Sequence, residues 1–252
     1  MKSYGKTDIG VKRKNNQDSF AILERSEYTL AVVCDGVGGA RGGNIASETA
    51  VKTFCGEIKA AFSRRSPEEY GEQVIEDLLR QAVSDANTEV YRKAAEDSDL
   101  EGMGTTLVAA LLCKAGNFAV NVGDSRLYLR DDEGLRPITK DNTFVQYLLD
   151  RGVITPEEAL VHPNRNIILR ALGGNEEVET DLYRIPPFHR LLLCSDGLYN
   201  MVPLKELQEV LDGTYSGKRR QPGYRARVNE LIRLANLNGG QDNITAILLG
   251  ND

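Results

Sequence analysis

The stretch Tyr28–Gly39, YTLAVVCDGVGG, joins a buried strand to a carboxylate. Its first seven residues are apolar, aromatic or β-branched, a pattern typical of a strand buried inside a sheet. Asp35 follows directly, and three of the next four residues are glycines. An ionised carboxylate that is removed from water needs hydrogen bonds, an opposite charge or a cation to compensate it. The stretch therefore predicts a buried strand that ends in a functional aspartate.

Three further aspartates stand at similar junctions between a strand and a turn. Asp124 lies in FAVNVGDSRLYL, Asp196 in LLLCSDGL, and Asp242 in GGQDNITAILLG, just before a strand. Strand ends on one rim of a sheet can converge, and loops there commonly carry function. Several ionised carboxylates share a rim only if a cation offsets their repulsion. The four aspartates therefore predict that this rim binds divalent cations.

The residue types favour magnesium or manganese at this rim, because both ions take oxygen ligands. Gly36, directly after Asp35, has no Cβ to keep an ion from its carbonyl oxygen. For any single Asp-Gly pair an ordinary turn is the alternative. The chain has only two histidines, which nearly excludes a zinc site built from several imidazoles.

Composition indicates a soluble globular protein of 252 residues, with 41% hydrophobic and 27% charged residues. No apolar run approaches the roughly 18 residues that span a bilayer, and the first residues lack an apolar signal core. We therefore expect no membrane partner. The four cysteines show no CxxC spacing, which predicts reduced thiols in a cytoplasmic protein, with a disulfide framework as the weaker alternative.

The net charge of −6 argues against nucleic acid as the main partner. A local basic cluster, GKRRQPGYRAR at residues 217–227, is predicted to be a solvated loop and helix start. A docking surface is the alternative interpretation of this cluster.

The order of predicted elements indicates an α+β layered fold in one domain. A long helix is predicted over residues 42–62, with Asn44 as its possible N-cap, and a second from about Pro67 to Glu96. An antiparallel meander follows, and then two short helices within residues 141–166. A strand, two helices and a final strand complete the chain, so the last strand must return to the sheet of the early ones.

Arg13, in GVKRKNNQDSF, is the candidate to bind a phosphate, since a guanidinium grips phosphate oxygens with two parallel hydrogen bonds. A surface charge is the alternative. Other hydrolase and nucleotide-binding motifs are absent or weak. Cys34 and Arg41 are separated by six residues, where a cysteine phosphatase needs five. GDSRL lacks the last glycine of a hydrolase elbow, and GVGGARGG offers neither a dinucleotide fingerprint nor a Walker lysine.

Together the motifs resemble the metal-dependent protein phosphatase family, the type 2C serine/threonine phosphatases, in its compact bacterial form. One motif alone would be weak evidence, whereas the ordered set is specific. The matching motifs cover nearly the whole chain and are RKNNQDS (13–19), CDGVGG (34–39), GMGTT (102–106), VGDSR (122–126), ITPEEALVHPNRNIILRALG (154–173), CSDGL (194–198) and QDNIT (241–245).

The resemblance implies a four-layer α-β-β-α sandwich with two central antiparallel sheets, in a single phosphatase domain over residues 1–252. It also implies a small flap at about residues 141–170, beside the active site. Asp35 would bridge two core Mn²⁺ or Mg²⁺ ions and so take part in catalysis. The Gly36 carbonyl would bind one ion, and Asp196 and Asp242 would complete the other.

Three further roles follow from the same resemblance. Asp124 matches the position that holds a third, weaker ion, and Arg13 matches the phosphate-binding arginine. Gln17 stands where some members have glutamate, so direct ligation there is doubtful, and Asp18 is expected to act on a metal through water.

The sequence departs from the family pattern at two other places. Val37 replaces a histidine that many eukaryotic members use as a proposed general acid. DNT at residues 141–143 replaces the more usual Asp-His-Ser. This change is expected to affect the behaviour of the flap first and the chemistry only second. His162 is expected to be a structural residue of the flap, with catalysis as the minority interpretation.

The function implied is hydrolysis of phosphoserine and phosphothreonine in proteins by direct attack of a metal-bound water. The expected partners are a bacterial serine/threonine kinase and its substrates, with the enzyme itself a monomer. Two alternatives stay open. One is a catalytically silent module that binds metal or phosphoproteins, and the other is a phosphatase dedicated to an anti-sigma-type regulator.

Overall fold

Two antiparallel sheets form the centre of the structure, a computed structural model that describes residues 1–215 and 223–250. The strands of the first sheet are β2 (Asp18–Glu24), β3 (Tyr28–Val37), β4 (Gly104–Thr105), β5 (Leu107–Cys113), β6 (Gly116–Val122) and β9 (Asp181–Arg184). Their order is β2-β3-β5-β6-β9, and β4 pairs with β3. Every one of these pairs is antiparallel.

The strands of the second sheet are β1 (Lys2–Asp8), β7 (Arg126–Asp131), β8 (Gly134–Pro137), β10 (Arg190–Cys194) and β11 (Ile244–Gly250). Their order is β1-β11-β10-β7-β8, so the last strand lies between the first strand and β10. This order confirms that the C-terminal strand returns to the early part of the chain.

Helices cover the outer face of each sheet. The helices on the first sheet are α1 (Gly39–Arg64) and α2 (Glu72–Glu96), and those on the second are α6 (Leu204–Asp212) and α7 (Tyr224–Leu237). Three shorter helices are α3 (Phe144–Asp150), α4 (Pro156–Val161) and α5 (Asp196–Tyr199).

Three apolar clusters separate the layers. One joins α1 and α2 to the first sheet, through Phe54, Leu79 and Leu111 among others. A second, which includes Val33 and Ile247, fills the space between the sheets. A third packs α6 and α7 on the second sheet. The four-layer α-β-β-α sandwich is thus confirmed.

Both long helices begin at positions other than the predicted ones. α1 starts at Gly39 after Gly38, whose φ of 121° lies in the region that favours glycine, so Asn44 is not the N-cap. Pro67 opens only a short 3₁₀ turn, and α2 starts after Gly71, an N-cap in extended conformation. Tyr70 lies between the 3₁₀ turn and α2. It donates a hydrogen bond to the Ala61 carbonyl and packs near Phe62. This contact interrupts the predicted continuous helix.

The flap contains α3 and α4 and holds no buried residue in either helix. Thr143 caps α3, and Thr155 forms a capping box with Glu158 at α4. Residues 217–222 of the basic cluster lie outside the described residues, and α7 begins at Tyr224.

The cysteines Cys34, Cys55, Cys113 and Cys194 all carry free thiols. Within the part of the chain that the structure describes, none of the helices is both long and apolar enough to cross a bilayer.

Candidate metal and phosphate site

Asp18 and Asp35 lie directly opposite one another on β2 and β3. Asp18 is buried, and its Oδ2 accepts hydrogen bonds of 2.7 Å from the hydroxyls of Ser195 and Thr245. Its Oδ1 is buried without a hydrogen-bond partner. The two sheets therefore meet around Asp18, because Ser195 follows β10 and Thr245 lies on β11, both in the other sheet.

The backbone of Asp35 is fixed by two consecutive threonines. The Asp35 N–H donates to Thr106 Oγ1 at 2.9 Å, and the Asp35 carbonyl accepts from the Thr106 N–H at 2.8 Å. The Thr105 hydroxyl donates to the same carbonyl at 2.9 Å. With all its backbone groups bonded, Asp35 presents its side chain from a rigid strand end.

Gly36 and Gly43 are in close contact where β3 faces the start of α1. A Cβ on Gly36 would lie 2.0 Å from the Gly43 carbonyl oxygen, far inside van der Waals contact. A Cβ on Gly43 would meet the Gln17 side chain at 2.8 Å. The glycine after Asp35 is thus required by backbone packing, a reason additional to access for an ion. Gln17 packs at this contact.

Asp196 opens α5, and Ser195 separates it from the end of β10; its Oδ1 is also buried without a hydrogen-bond partner. Its other oxygen accepts a 3.1 Å hydrogen bond from Asn200. Asp124 is buried in the turn between β6 and β7, and its backbone carbonyl accepts a 2.9 Å hydrogen bond from the Tyr199 hydroxyl.

Arg13 reaches this cluster from the loop between β1 and β2. Its Nη2 lies 2.6 Å from Asp242 Oδ2, and about half of its side chain is exposed. Asn243 holds the loop in place, because it accepts from the Gln17 N–H at 2.8 Å and donates to the carbonyls of Ile9 and Asn15 at 3.0 Å. Asn243, the neighbour of the predicted ligand Asp242, thereby positions Arg13, the predicted phosphate-binding residue.

The five aspartates influence one another electrostatically. Burial raises the pKa of Asp35 well above its usual range, and the charges of Asp18, Asp196, Asp124 and Asp242 add to this effect. Burial, followed by the charge of Asp196, raises the pKa of Asp124 to about 8. Ionisation of these groups is therefore costly until a cation is present.

The pKa values of Asp18 and Asp196 are also raised, but hydroxyl donors act on Asp18 and the charge of Asp242 acts on Asp196. Burial raises the pKa of Asp18 to about 7, although hydrogen bonds from Ser195 and Thr245 oppose the shift. Burial and the charge of Asp242 raise the pKa of Asp196 to about 6.

These residues fit a site for hard divalent cations. Two buried carboxylate oxygens, on Asp18 and Asp196, lack hydrogen-bond partners, and the ligands available are all oxygens. Over residues 1–215 and 223–250, no three His, Cys, Asp or Glu side chains form a ready cage around one ion. Carbonyl oxygens and waters would therefore complete each coordination shell, as is usual for magnesium.

A cleft of about 780 Å³ opens above the carboxylates. Its catalytic floor includes Arg13, Asp124, Asp196 and Asp242, so four predicted site residues line the same cavity. The flap forms the opposite wall, whose apolar members are Val145, Leu149, Pro156, Ala159 and Leu160. The cavity is thus lined by charged residues and by apolar residues of the flap.

Two residues raised by the sequence lie apart from this chemistry. His162 ends α4, accepts a hydrogen bond from the Asn164 N–H, and is not among the described residues that line the cleft. Val37 pairs with Gly104 in the strand ladder.

Residues that the sequence analysis did not assign to the site support the predicted ones. Arg126 donates two hydrogen bonds to Asp141 at 2.9 and 2.7 Å, and its guanidinium lies 3.7 Å from the centre of the Tyr199 ring. Asn243, Ser195 and Thr245 were missed as well, although each lies next to, or within three residues of, a predicted ligand. That proximity was the available signal.

Comparison with known sequences agrees with the site described above. The family model described as "Protein phosphatase 2C" matches residues 10–233. The serine/threonine phosphatase stp of Listeria monocytogenes serovar 1/2a is 40% identical over 255 residues, covering 100% of this chain and 96% of that protein.

Solved structures agree with the sequence matches. Serine/threonine phosphatase Stp1 from Staphylococcus aureus superposes with a TM-score of 0.86 and 34% identity, over 99% of this chain and 94% of that one. The catalytic domain of the serine/threonine phosphatase PstP, solved in complex with two manganese ions, gives a TM-score of 0.76 and 35% identity over 98% and 96% of the two chains.

Proposed function

The chain belongs to the protein phosphatase 2C family and is a serine/threonine protein phosphatase, and we propose that it hydrolyses phosphoserine and phosphothreonine with divalent cations held by Asp35, Asp196 and Asp242. The observation that carries this proposal is the convergence of Asp124, Asp196 and Asp242 beside Arg13 in one cleft, with Asp18 and Asp35 near enough for the charges of the five aspartates to interact. Phosphoproteins are therefore the substrates, and a serine/threonine kinase is the opposing enzyme.

Each residue of the site has a task in the proposed reaction. Divalent cations bound here would supply an activated water and neutralise charge on the phosphoryl oxygens. Asp35, opposite Asp18 in the strand ladder, would hold these ions together with Asp196 and Asp242, and the Gly36 carbonyl would serve one of them. Asp124, in the same cleft, would hold a third. Asp18 is set back among hydroxyl donors, in agreement with a role through water.

Arg13 would bind the phosphate oxygens. Its side chain is half exposed and bonded to Asp242, so it can turn from that carboxylate towards a substrate when cations occupy the site. Attack by water on the phosphorus would be direct, without a phospho-enzyme. We propose that the enzyme works as a monomer in the cytoplasm.

A phosphothreonine peptide tests this function. With manganese present, the purified protein should release inorganic phosphate, and EDTA should abolish the release. Asp35→Asn and Asp196→Asn should be inactive, whereas Asp77→Asn, the same change on the exposed face of α2, should keep full activity. Activity that resists EDTA would refute the metal role. Binding of the peptide without turnover would instead establish a silent binding module.

A further inference from the structure

Asn142 connects four separate segments of the chain at the base of the flap. Its backbone N–H donates to the Gly123 carbonyl at 2.8 Å, and the Gly123 N–H donates to the Asn142 Oδ1 at 2.9 Å. Gly123 directly precedes Asp124 in the turn between β6 and β7. The first residues of the flap are therefore paired with the turn that carries a carboxylate of the site.

The same residue also contacts the end of the flap and strand β9. The Leu169 N–H donates to the Asn142 carbonyl at 2.7 Å. Asn142 Nδ2 donates to Asp181 Oδ2 at 2.8 Å, and Asp181 Oδ1 accepts from Arg170 Nη1 at 3.2 Å. The two ends of the flap are thus joined to each other and to the first sheet through one amide side chain.

The chemistry of these contacts requires a side chain with one acceptor and one donor. The Gly123 N–H can only donate, so an acceptor must face it, and the Asp181 carboxylate can only accept while ionised. An amide satisfies both partners and carries no charge. An alanine would satisfy neither. An imidazole would satisfy both when neutral, but when protonated it has two donors and no acceptor for Gly123.

We propose that Asn142 is a positioning residue that holds the flap over the Asp124 turn. The flap wall of the cleft, including Leu149 and Leu160, then keeps a constant distance from the catalytic floor. Because the amide does not titrate, this attachment is independent of pH across the neutral range. The charged groups around Asn142 are Asp181, Arg170, Asp124, the Arg126–Asp141 pair and Lys140, which pairs with Asp150. Tyr183, a neutral group, accepts from the Lys140 N–H.

Hydrogen exchange measured by mass spectrometry tests the proposal without any assay of activity. In Asn142→Ala the peptides that contain Gly123, Phe144 and Leu169 should exchange about 10- to 100-fold faster, since two hydrogen bonds are lost. Asn142→His should match the natural protein at about pH 8 and exchange faster near pH 5.5, where the imidazole is protonated. Asn164→Ala and Asn164→His make the same changes at an exposed flap position and should have no such effect.

Kinetics provide the second measurement, which rests on the proposed function. Asn142→Ala should raise the KM for a phosphothreonine peptide about tenfold, a larger increase than for p-nitrophenyl phosphate, because the small ester does not need the flap wall. Asn142→His should restore the KM at about pH 8 only.

The two measurements separate the possible failures. If no phosphopeptide is hydrolysed even by the natural protein, the proposed function fails and the exchange data still test Asn142. If flap exchange in Asn142→Ala equals that of Asn164→Ala, or Asn142→His shows no additional pH dependence, the positioning role is overturned.

Discussion

Arg13 and Asp242, 229 residues apart in the sequence, are joined by a 2.6 Å hydrogen bond at the edge of the cleft. This contact places the phosphate-binding candidate against a candidate metal ligand. It also shows how the site compensates part of its own negative charge, because Arg13 faces a group that includes Asp35 and Asp196.

Replacement of Arg13 by alanine should lower kcat/KM for a phosphothreonine peptide about 100-fold, since one donor to the developing charge is lost. Arg13→Lys should recover only part of this loss, because an ammonium cannot form the paired hydrogen bonds of a guanidinium. Steady-state kinetics at fixed manganese measure both effects. Lys14→Ala is the matched control on the same exposed loop, and an equal loss in that variant would argue for a general charge effect.

Removal of one carboxylate should have opposite effects on activity and on the metal-free fold. Asp35→Asn should abolish hydrolysis, yet raise the unfolding temperature measured in EDTA, because burial and four neighbouring aspartates disfavour the ionised Asp35 carboxyl. Manganese should stabilise the natural protein and leave the variant nearly unchanged. A variant that manganese stabilises as strongly as the natural protein would show that Asp35 is not a ligand.

Metal-free stability should fall as the pH rises. The pKa values of Asp196, Asp18 and Asp124 are about 6, 7 and 8 in the folded protein, above their ordinary value of 3.8. A carboxyl whose pKa is raised by folding stabilises the fold fully below its unfolded pKa, and this stability is lost as the pH rises through the folded pKa. The unfolding temperature in EDTA should therefore fall from about pH 5 to about pH 8.5.

The same scan in manganese should show a much smaller fall, because bound cations compensate the ionised carboxylates. Asp18→Asn should reduce the slope in EDTA. Each kcal/mol lost lowers the unfolding temperature of a chain of this size by about 2–4 °C, which calorimetry resolves. Equal slopes with and without manganese would contradict this account.

The Arg126–Asp141 pair should contribute more to stability than an exposed ion pair. Both side chains are largely buried, and Arg126 also stacks on Tyr199, whose hydroxyl supports the Asp124 turn. Arg126→Met leaves the carboxylate uncompensated and should cost about 3 kcal/mol in urea unfolding.

A matched surface pair distinguishes this effect from a general loss of charge. Arg233 and Glu230 form a bidentate contact on the exposed side of α7, and Arg233→Met should cost less than about 1 kcal/mol. Similar losses for both variants would mean that burial of Arg126 adds nothing.

The apolar wall of the flap should contribute to binding of protein substrates. Leu160 is 73% exposed and lines the cleft, whereas its neighbour Val161 is 78% exposed and is not among the lining residues. Leu160→Ser should lower kcat/KM about tenfold for a phosphopeptide with an apolar residue beside the phosphothreonine. Val161→Ser should leave it unchanged. Equal effects of the two changes on this peptide would exclude a specific contact at Leu160.

Much of the fold was predictable from local patterns. The apolar run before Asp35 is strand β3, and the strand-like runs that contain Val120, Leu129 and Leu193 are strands as well. Helix starts were less predictable. α1 begins at Gly39 because Gly38 adopts a positive φ, and α2 begins after Gly71 because Tyr70 packs on α1. The α2 start thus depends on a packing contact between Tyr70 and α1, and the α1 start on the backbone conformation of Gly38.

The candidate site was predictable as a set of residues but not as an arrangement. Asp124, Asp196, Asp242 and Arg13 line one cleft, as the motifs indicate. The residues that fix them could not be assigned in advance. Asn243 holds the Arg13 loop through contacts with residues more than 200 positions earlier in the chain, which exist only because β11 lies beside β1.

The sequence by itself determined the strands, the aspartates at their ends and the glycines that let backbones approach, because these depend on side-chain type and on spacing within a few residues. Only the tertiary structure decided that Ser195 and Thr245 bond to Asp18, and that Asn142 joins the flap to the turn of Asp124. Such contacts depend on sheet order and strand register, and burial then decides how strongly the carboxylates affect one another.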